Sequence, residues 1–396
     1  MGDQGPFGDD DPFKGMPLFG DLSRMLGQQG PLSWDAARQL AVSIVSGGRS
    51  EPNVDPLDRI KLEQLARVAE LRVADATGLS TSPTGRGVTV VPVTRTAWVQ
   101  RSLDAYRPLF EKLAGSLGEA PAATDDDAMG GDPSMAWLGS LMKMVGPMML
   151  GMTAGSLVGH LGTRALGQYD LPIPRPADDE LAVVVANIDA FGAEWSLPAD
   201  DLRLWVCLHE IAHHAVLGVP HVRARLDALL SEYVSGFEPE SDGLERRLDQ
   251  LDPANLENVQ SVQELLGDPE VLLGAIQSPA QRHLLPQLEA LVGVIVGYVD
   301  HVMDGIGEPL ISSYGMVTEA LRRRRVQSAP ADRFVERLLG LNLTQEHYER
   351  GAAFVDGVVE RAGEDVLARL WEAEQLLPTP AEIEAPGLWL ARIEFE

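Results

Sequence analysis

Two histidines and a glutamate lie within five residues of one another, at His209, Glu210 and His213. On an α-helix, residues four apart project from the same face one turn apart, so both imidazoles can reach one metal ion. Zinc accepts such nitrogen ligands and lowers the pKa of a bound water towards 7. A neighbouring carboxylate can take that proton and later return it to a leaving amine. The pattern therefore predicts His209 and His213 as metal ligands and Glu210 as the general base of a hydrolase.

The sequence around the motif predicts the helix that this chemistry needs. Pro198, Asp200 and Asp201 suit the first turn of a helix over 199–217, where free amides and the helix dipole favour proline and acids. Gly218 and Pro220 end it. The alternative is that the two histidines are core residues hydrogen-bonded on a buried helix.

A catalytic zinc needs a third protein ligand, and three residues are candidates. Glu232 follows His213 after eighteen intervening residues. Asp300 and His301 lie in a strongly apolar predicted helix, where ionisable side chains need partners or a metal. Asp300 and Asp304 are also predicted to hydrogen-bond and orient the ligands. These alternatives remain open at the level of the sequence, and no substrate-binding residue is predicted.

Two further features near these candidates have both a structural and a functional interpretation. Arg322 to Arg325 form a dense basic cluster, which either pairs with the protein's own carboxylates or binds a substrate carboxylate. Tyr298 is either a core aromatic residue or a hydrogen-bond donor to a developing oxyanion.

Hydrophobic periodicity predicts a mainly helical fold with a small β-sheet before the motif helix. The predicted strands are 88–93 and 181–190. Residues 135–166, rich in Gly and Met, are predicted to form a buried helical hairpin; membrane contact is the alternative, and no stable membrane span is expected because charged residues and a proline interrupt the segment. The other predicted helices are 34–45, 56–76, 97–117, 221–236, 241–251, 255–266, 279–304, 309–325, 331–340, 344–362 and 363–375.

Composition divides the chain into four regions. Residues 1–30 form an acidic, Gly-rich tail predicted to be disordered, without the features of a secretory signal. Residues 31–118 form an N-terminal helical region with a short strand. Residues 119–134 are an acidic linker. Residues 135–396 form the domain that carries the motif.

The charge and the cysteine content argue against several partners and several kinds of site. The chain has 32 basic and 59 acidic residues, for a net charge of −27, which disfavours binding to nucleic acid or to anionic lipid. Cys207 is the only cysteine, so neither a disulfide framework nor a Cys-rich zinc site can form within the chain. We expect a cytoplasmic protein whose partner is a peptide or protein substrate; the sequence predicts no oligomeric state.

Several separated blocks resemble the actinobacterial-type zincin-like metallopeptidase family. They comprise the stretches 205–214, 218–223, 297–304, 319–325 and 378–382. The resemblance extends well over residues 135–396 and more loosely over the earlier helices. It implies a largely helical zincin-like fold and zinc-dependent peptidase activity.

The resemblance also reveals a departure from the family pattern. It implies a Glu-Gly-x-x-Asp sequence in the second region, in which the glutamate binds zinc and the aspartate orients a ligand. Here Val296 stands at the glutamate position and Asp300 is kept. Valine cannot bind zinc, so either another residue supplies the third bond or the protein is a catalytically impaired binding or scaffold protein.

Overall fold

A computed structural model describes residues 30–118, 133–237, 278–326, 336–341 and 343–394. The described chain is mainly helical with one small sheet, as predicted. The acidic tail, almost all of the linker and the predicted helices 241–251 and 255–266 lie outside the described residues, and the division into four regions stays a prediction.

The elements are α1 (Trp34–Ser46), α2 (Pro56–Thr77), β1 (Thr89–Pro92), α3 (Arg95–Gly118), α4 (Pro133–Arg164), β2 (Glu180–Val183), α5 (Val185–Glu194), α6 (Ala199–Gly218), α7 (Pro220–Ser235), α8 (Pro279–Gly307), α9 (Tyr314–Val326), α10 (Gln345–Ala362), two 3₁₀ helices (Glu364–Trp371 and Glu374–Leu376), α11 (Pro380–Glu384) and α12 (Pro386–Ile393).

The sheet consists of β1 and β2 in parallel, with Thr89 opposite Glu180 and Pro92 opposite Val183. The chain that leaves α4 runs along the other side of β2. Gly167 forms an isolated antiparallel bridge with Val183, and the Val184 amide donates to the Leu166 carbonyl at 2.9 Å. The sheet thereby holds the segment after α4 next to the motif helix.

The predicted strand over 181–190 is wrong beyond Val183. The run of apolar residues gives a short strand and then α5, in which Val185, Ile188 and Phe191 are buried at helical spacing. Asn187 explains part of the change, because its side-chain amide donates to the Gly162 and Ala165 carbonyls at 3.1 and 2.8 Å. Those bonds satisfy carbonyl groups at the end of α4, which have no partner within their own helix.

The predicted hairpin over 135–166 is also wrong, because α4 is one continuous helix. Its glycines serve packing instead of a turn. A Cβ atom at Gly151 would overlap the Ser33 backbone, and one at Gly155 would overlap the Ala37 backbone. The Gly-rich face of α4 therefore lets α1 approach backbone to backbone.

The core lies around α6 and residues 288–299 of α8, which are buried on almost every side. From Leu202 to Leu217, nearly every residue of α6 is buried, as expected of a helix at the centre of a large core. Among the described residues, α8 alone is long and apolar enough to cross a membrane, and 72% of its most apolar window is buried within the protein. That burial is the pattern of a core helix.

Helices α8 and α10 meet at glycines without intervening side chains. A Cβ atom at Gly297 would overlap the Gly351 backbone, and one at Gly351 would overlap the Gly293 backbone. This contact fixes the face of α8 that carries Val296 and Asp300 relative to the rest of the core.

Candidate functional site

The two motif histidines lie side by side on α6, as their spacing predicts. Their ring centroids are 4.3 Å apart, and the His209 ring stacks on Trp205 at 4.7 Å. His213 Nδ1 lies 3.1 Å from the His209 carbonyl oxygen, where it can only be a donor. Because Nδ1 then carries the proton, Nε2 of His213 holds the lone pair that a metal would use.

Burial keeps both imidazoles neutral. It lowers the pKa of His209 to about 4, with a further contribution from the Arg325 guanidinium. It lowers the pKa of His213 to about 3, with a further contribution from His209. At neutral pH both rings therefore offer a nitrogen lone pair.

Glu210 is almost completely buried, at 1% exposure, and is held by the segment after α4. Its Oε2 accepts hydrogen bonds from the backbone amides of Gln168 at 2.7 Å and Tyr169 at 2.9 Å. Burial raises the pKa of Glu210 to about 7 in spite of these bonds. Its Oε1 lies 3.6 Å from His209 Nδ1. The carboxylate is thus anchored through one oxygen and has a pKa suited to proton transfer near neutrality.

The segment that holds Glu210 is itself fixed from behind. Gly167 makes the approach possible, because a Cβ atom there would overlap the Glu210 carboxylate. Trp98 Nε1 donates to the Gly167 carbonyl at 2.8 Å. The buried Arg175 donates to the Gln168 carbonyl at 2.9 Å and to the Tyr106 hydroxyl at 2.7 Å. The two amides are therefore set in place before any ligand arrives.

All three motif residues line one small cavity of about 80 Å³. That volume has room for an ion and a few water molecules. Val296 lines it too, in agreement with its predicted position near the histidines. A second cavity of about 620 Å³ lies beside it and has Arg325 and Tyr348 in its lining as well. These two side chains therefore border both spaces.

Asp300 is bound by Arg325 in a two-bond ion pair. Arg325 Nη1 and Nη2 donate to its two carboxylate oxygens at 2.8 and 3.0 Å. Burial alone would raise the pKa of Asp300, but Arg325 outweighs it and holds the pKa below its usual value. Asp300 lines the larger cavity, and its lone pairs face Arg325.

The other predicted site residues do not line the small cavity. Glu232 is exposed on α7 and lines neither cavity. His301 lines the larger cavity, with Nε2 3.4 Å from Glu364 Oε1. Asp304 accepts a hydrogen bond from the Tyr314 hydroxyl at 2.7 Å. Within the described part of the chain, no three His, Cys, Asp or Glu side chains are grouped closely enough to hold a metal ion.

Several residues of the small cavity have no counterpart among the sequence predictions. They are Asp170, Glu336 and Tyr348, together with the amides that hold Glu210. Asp170 pairs with Arg324 at 2.9 Å. Arg324 and Arg325 belong to the basic cluster noted in the sequence, so the interpretation of that cluster as ion pairs with the protein's own carboxylates holds at both positions. Tyr298 packs edge-on against Trp371 at 4.9 Å and lines neither cavity.

Two comparisons with known proteins give a match. A family model described as zincin-like metallopeptidase matches residues 32–390. A solved protein from Chloroflexus aurantiacus, described as a proposed hydrolase with a novel fold, is similar over 92% of this chain and 99% of that chain, with a TM-score of 0.64 and 25% sequence identity. No curated protein matches the chain significantly.

Proposed function

We propose that this chain, which belongs to the zincin-like metallopeptidase family, hydrolyses peptide bonds with a zinc ion held by His209 and His213. Membership confirms the resemblance seen in the sequence and supports zinc dependence in general. One observation carries the proposal: two neutral imidazoles and a carboxylate with a pKa of about 7 line the same small cavity. A pair of unprotonated nitrogens beside a proton acceptor is the arrangement that metal-assisted hydrolysis needs.

The residues present fit a zinc ion in part. Nitrogen lone pairs on adjacent turns of α6 suit it, and the hydrogen bond at His213 Nδ1 directs Nε2 to the ion. The third ligand is not already beside the two histidines. Glu336 lines the same cavity, and Asp300 becomes available once Arg325 releases it. Both are proposed as donors that approach when the ion binds.

Each side chain then has a separate task. When bound, zinc supplies Lewis-acid chemistry that polarises a carbonyl group and acidifies water. Glu210 accepts a proton at Oε1 while the Gln168 and Tyr169 amides hold Oε2, and it returns the proton to the leaving amine. The larger cavity would receive the substrate, because a volume of about 80 Å³ cannot enclose a peptide. Tyr348 and Arg325 line both cavities, and we propose them as hydrogen-bond donors to the substrate carbonyl.

The proposal is tested by zinc content, measured by mass spectrometry on protein purified without a histidine tag, and by peptide hydrolysis. We expect about one zinc per chain, lost in His213→Ala together with hydrolysis. His214→Ala is the matched control, since His214 is also buried but bonds to the Tyr169 hydroxyl and does not line the cavity. Equal zinc content in both variants would contradict the assignment of His213.

A second candidate function is a zincin-fold binding protein without catalysis, and Val296 favours it. This apolar side chain, 4% exposed, lines the cavity where a third ligand would serve. If it is the reason for weak metal binding, Val296→Glu should raise zinc affinity about tenfold or more, whereas Val296→Gln should not. Stoichiometric zinc and measurable hydrolysis in the unaltered protein would exclude this second function.

A further inference from the structure

Helix α2 carries apolar residues on two opposite faces. One face is buried and packs against α6, through residues that include Leu62, Ala66 and Val73. The opposite face is exposed: Leu57 is 63%, Ile60 53%, Val68 42% and Leu71 60% accessible. Single exposed apolar residues are ordinary, but four that are aligned on one face of a helix mark an interaction surface. We call these four residues with Gln64, which is also exposed, the α2 stripe.

The α2 stripe is symmetric about Gln64. Ile60 and Val68 lie four residues before and after it, and Leu57 and Leu71 lie seven residues before and after it. At 3.6 residues per turn, all four project within about 40° of the direction of Gln64. If the helix is turned end for end about Gln64, Leu57 exchanges places with Leu71 and Ile60 with Val68, so the apolar pattern is unchanged.

A surface with this symmetry matches itself. We propose that the α2 stripe binds a second copy of this chain, with the two α2 helices antiparallel and a two-fold axis at Gln64. Leu57 would then pack on Leu71 of the partner subunit, and Ile60 on Val68 of the partner subunit. The two Gln64 side chains meet at the axis, where their amides can hydrogen-bond to each other. This is an isologous interface, in which each contact occurs twice.

The charges beside the stripe fit the same arrangement. Glu63 and Arg67 flank it on one side and have no ion-pair partner among the described residues. In a helix pair related by a two-fold axis at Gln64, the flank that carries Glu63 and Arg67 lies beside the same flank of the partner helix. Arg67 then lies within about 3 Å, along the helix axis, of the partner's Glu63. The pairing therefore places opposite charges together on both sides of the axis.

Sedimentation equilibrium on the full chain, over roughly 1 to 200 µM, tests the proposal. One pair of 22-residue helices is smaller than a standard interface, so we expect a dissociation constant in the micromolar range. Ile60→Glu should weaken the dimer about tenfold or more, because it buries a charge among apolar side chains. Leu388→Glu is the control, since Leu388 is 55% exposed on α12.

Two further experiments define the geometry. Glu63→Arg and Arg67→Glu should each weaken the dimer, and the double exchange should restore it. Gln64→Cys should form a disulfide-linked dimer under mild oxidation, because the axis places the two thiols together. Arg59→Cys, on another face of α2, should not. Cys207 is buried and does not compete.

Three results would overturn the proposal. One is a full chain that stays monomeric throughout this concentration range. Another is a dimer that Ile60→Glu leaves unchanged. The third is a monomer that dimerises only after residues 1–29 are removed, which would mean that the chain's own N-terminal segment covers the stripe.

Discussion

Glu210, in the small cavity with the histidines, and Asp300, in the larger cavity beside it, are carboxylates whose surroundings differ in kind. On the α6 side, neutral backbone amides hold Glu210, and burial raises its pKa to about 7. On the α8 side, the Arg325 cation holds Asp300, and its pKa lies below the usual value. Amides orient a carboxylate without adding a full opposite charge, whereas a guanidinium stabilises the ionised form directly.

The difference assigns separate chemistry to the two acids. A group that exchanges protons near pH 7 suits general-base catalysis, and Glu210 meets that condition. A group that stays ionised suits metal binding or the orientation of other residues, and Asp300 meets that condition. The small cavity thus has a titratable carboxylate, and the larger cavity beside it has one that stays ionised at neutral pH.

The largest expected effect is on catalysis. Glu210→Gln keeps an oxygen for the two amides but removes the proton acceptor, so we expect kcat for peptide hydrolysis to fall by about 10² to 10⁴. Asp300→Asn should lower it less if Asp300 only orients other groups. A steady-state comparison of both variants, each with zinc content verified, measures the difference. Equal losses at equal zinc content would show that Asp300 does more than orient other groups.

For the stability of the fold, we expect the change at Asp300 to matter more than the change at Glu210. Asp300→Ala leaves Arg325 without its main partner, and we expect the free energy of unfolding in urea to fall by about 2 kcal/mol, since the two side chains are 23% and 30% exposed and solvent screens part of the charge. Glu319→Ala is the control, because its pair with Arg323 is more than half exposed. The control should lose no more than about 0.5 kcal/mol.

The pH dependence of stability should distinguish the two acids. Folding raises the pKa of Glu210, so the folded chain retains a proton that the unfolded chain releases between pH 4.5 and about 7. Glu210 therefore lowers the free energy of unfolding as pH rises through that window. Across the same window, the free energy of unfolding of Glu210→Gln should rise by about 1 to 3 kcal/mol relative to that of the unaltered protein. Urea unfolding of both metal-free proteins from pH 4 to 8 measures this difference in the free energy of unfolding. A difference that does not change with pH would exclude a raised pKa of Glu210.

The smallest effect should come from the glycine behind Glu210. Gly167→Ala adds a Cβ atom that overlaps the carboxylate, so we expect a loss of about 1 to 2 kcal/mol in unfolding free energy and a lower kcat. The backbone at Gly167 does not have a positive φ, so the effect is steric. Gly146→Ala in α4, where a Cβ atom meets open space, is the control and should leave kcat unchanged.

Local pattern predicted the part of the site that one helix creates. The helix expected over 199–217 is observed as Ala199–Gly218, and its periodicity alone brings His209 next to His213. The small sheet before this helix was predicted as well. These features depend on residues a few positions apart, where helical geometry determines which side chains meet.

Contacts between residues that are far apart in the sequence could not be predicted from such patterns. The partners of Glu210 are backbone amides 41 and 42 residues away, and a backbone amide has no sequence signature. Arg325 was visible as part of a basic cluster, yet its pairing with Asp300 depends on how α9 packs beside α8. The strand predicted over 181–190 was wrong beyond Val183 for a related reason, since the bonds of Asn187 to the end of α4 are tertiary contacts.

The glycine contact between α8 and α10 limits how the cavity can open. Helices that touch backbone to backbone at glycines have little room to slide, because a shift brings residues with side chains to the contact. The backbone that carries Val296 and Asp300 therefore belongs to a stationary wall, and only their side chains can turn. Widening the passage from the larger cavity to the histidines must come from rotation of the Arg325 and Tyr348 side chains or from displacement of α9. Access would then be governed by side-chain rotamers and one short helix, which move faster than whole packed domains.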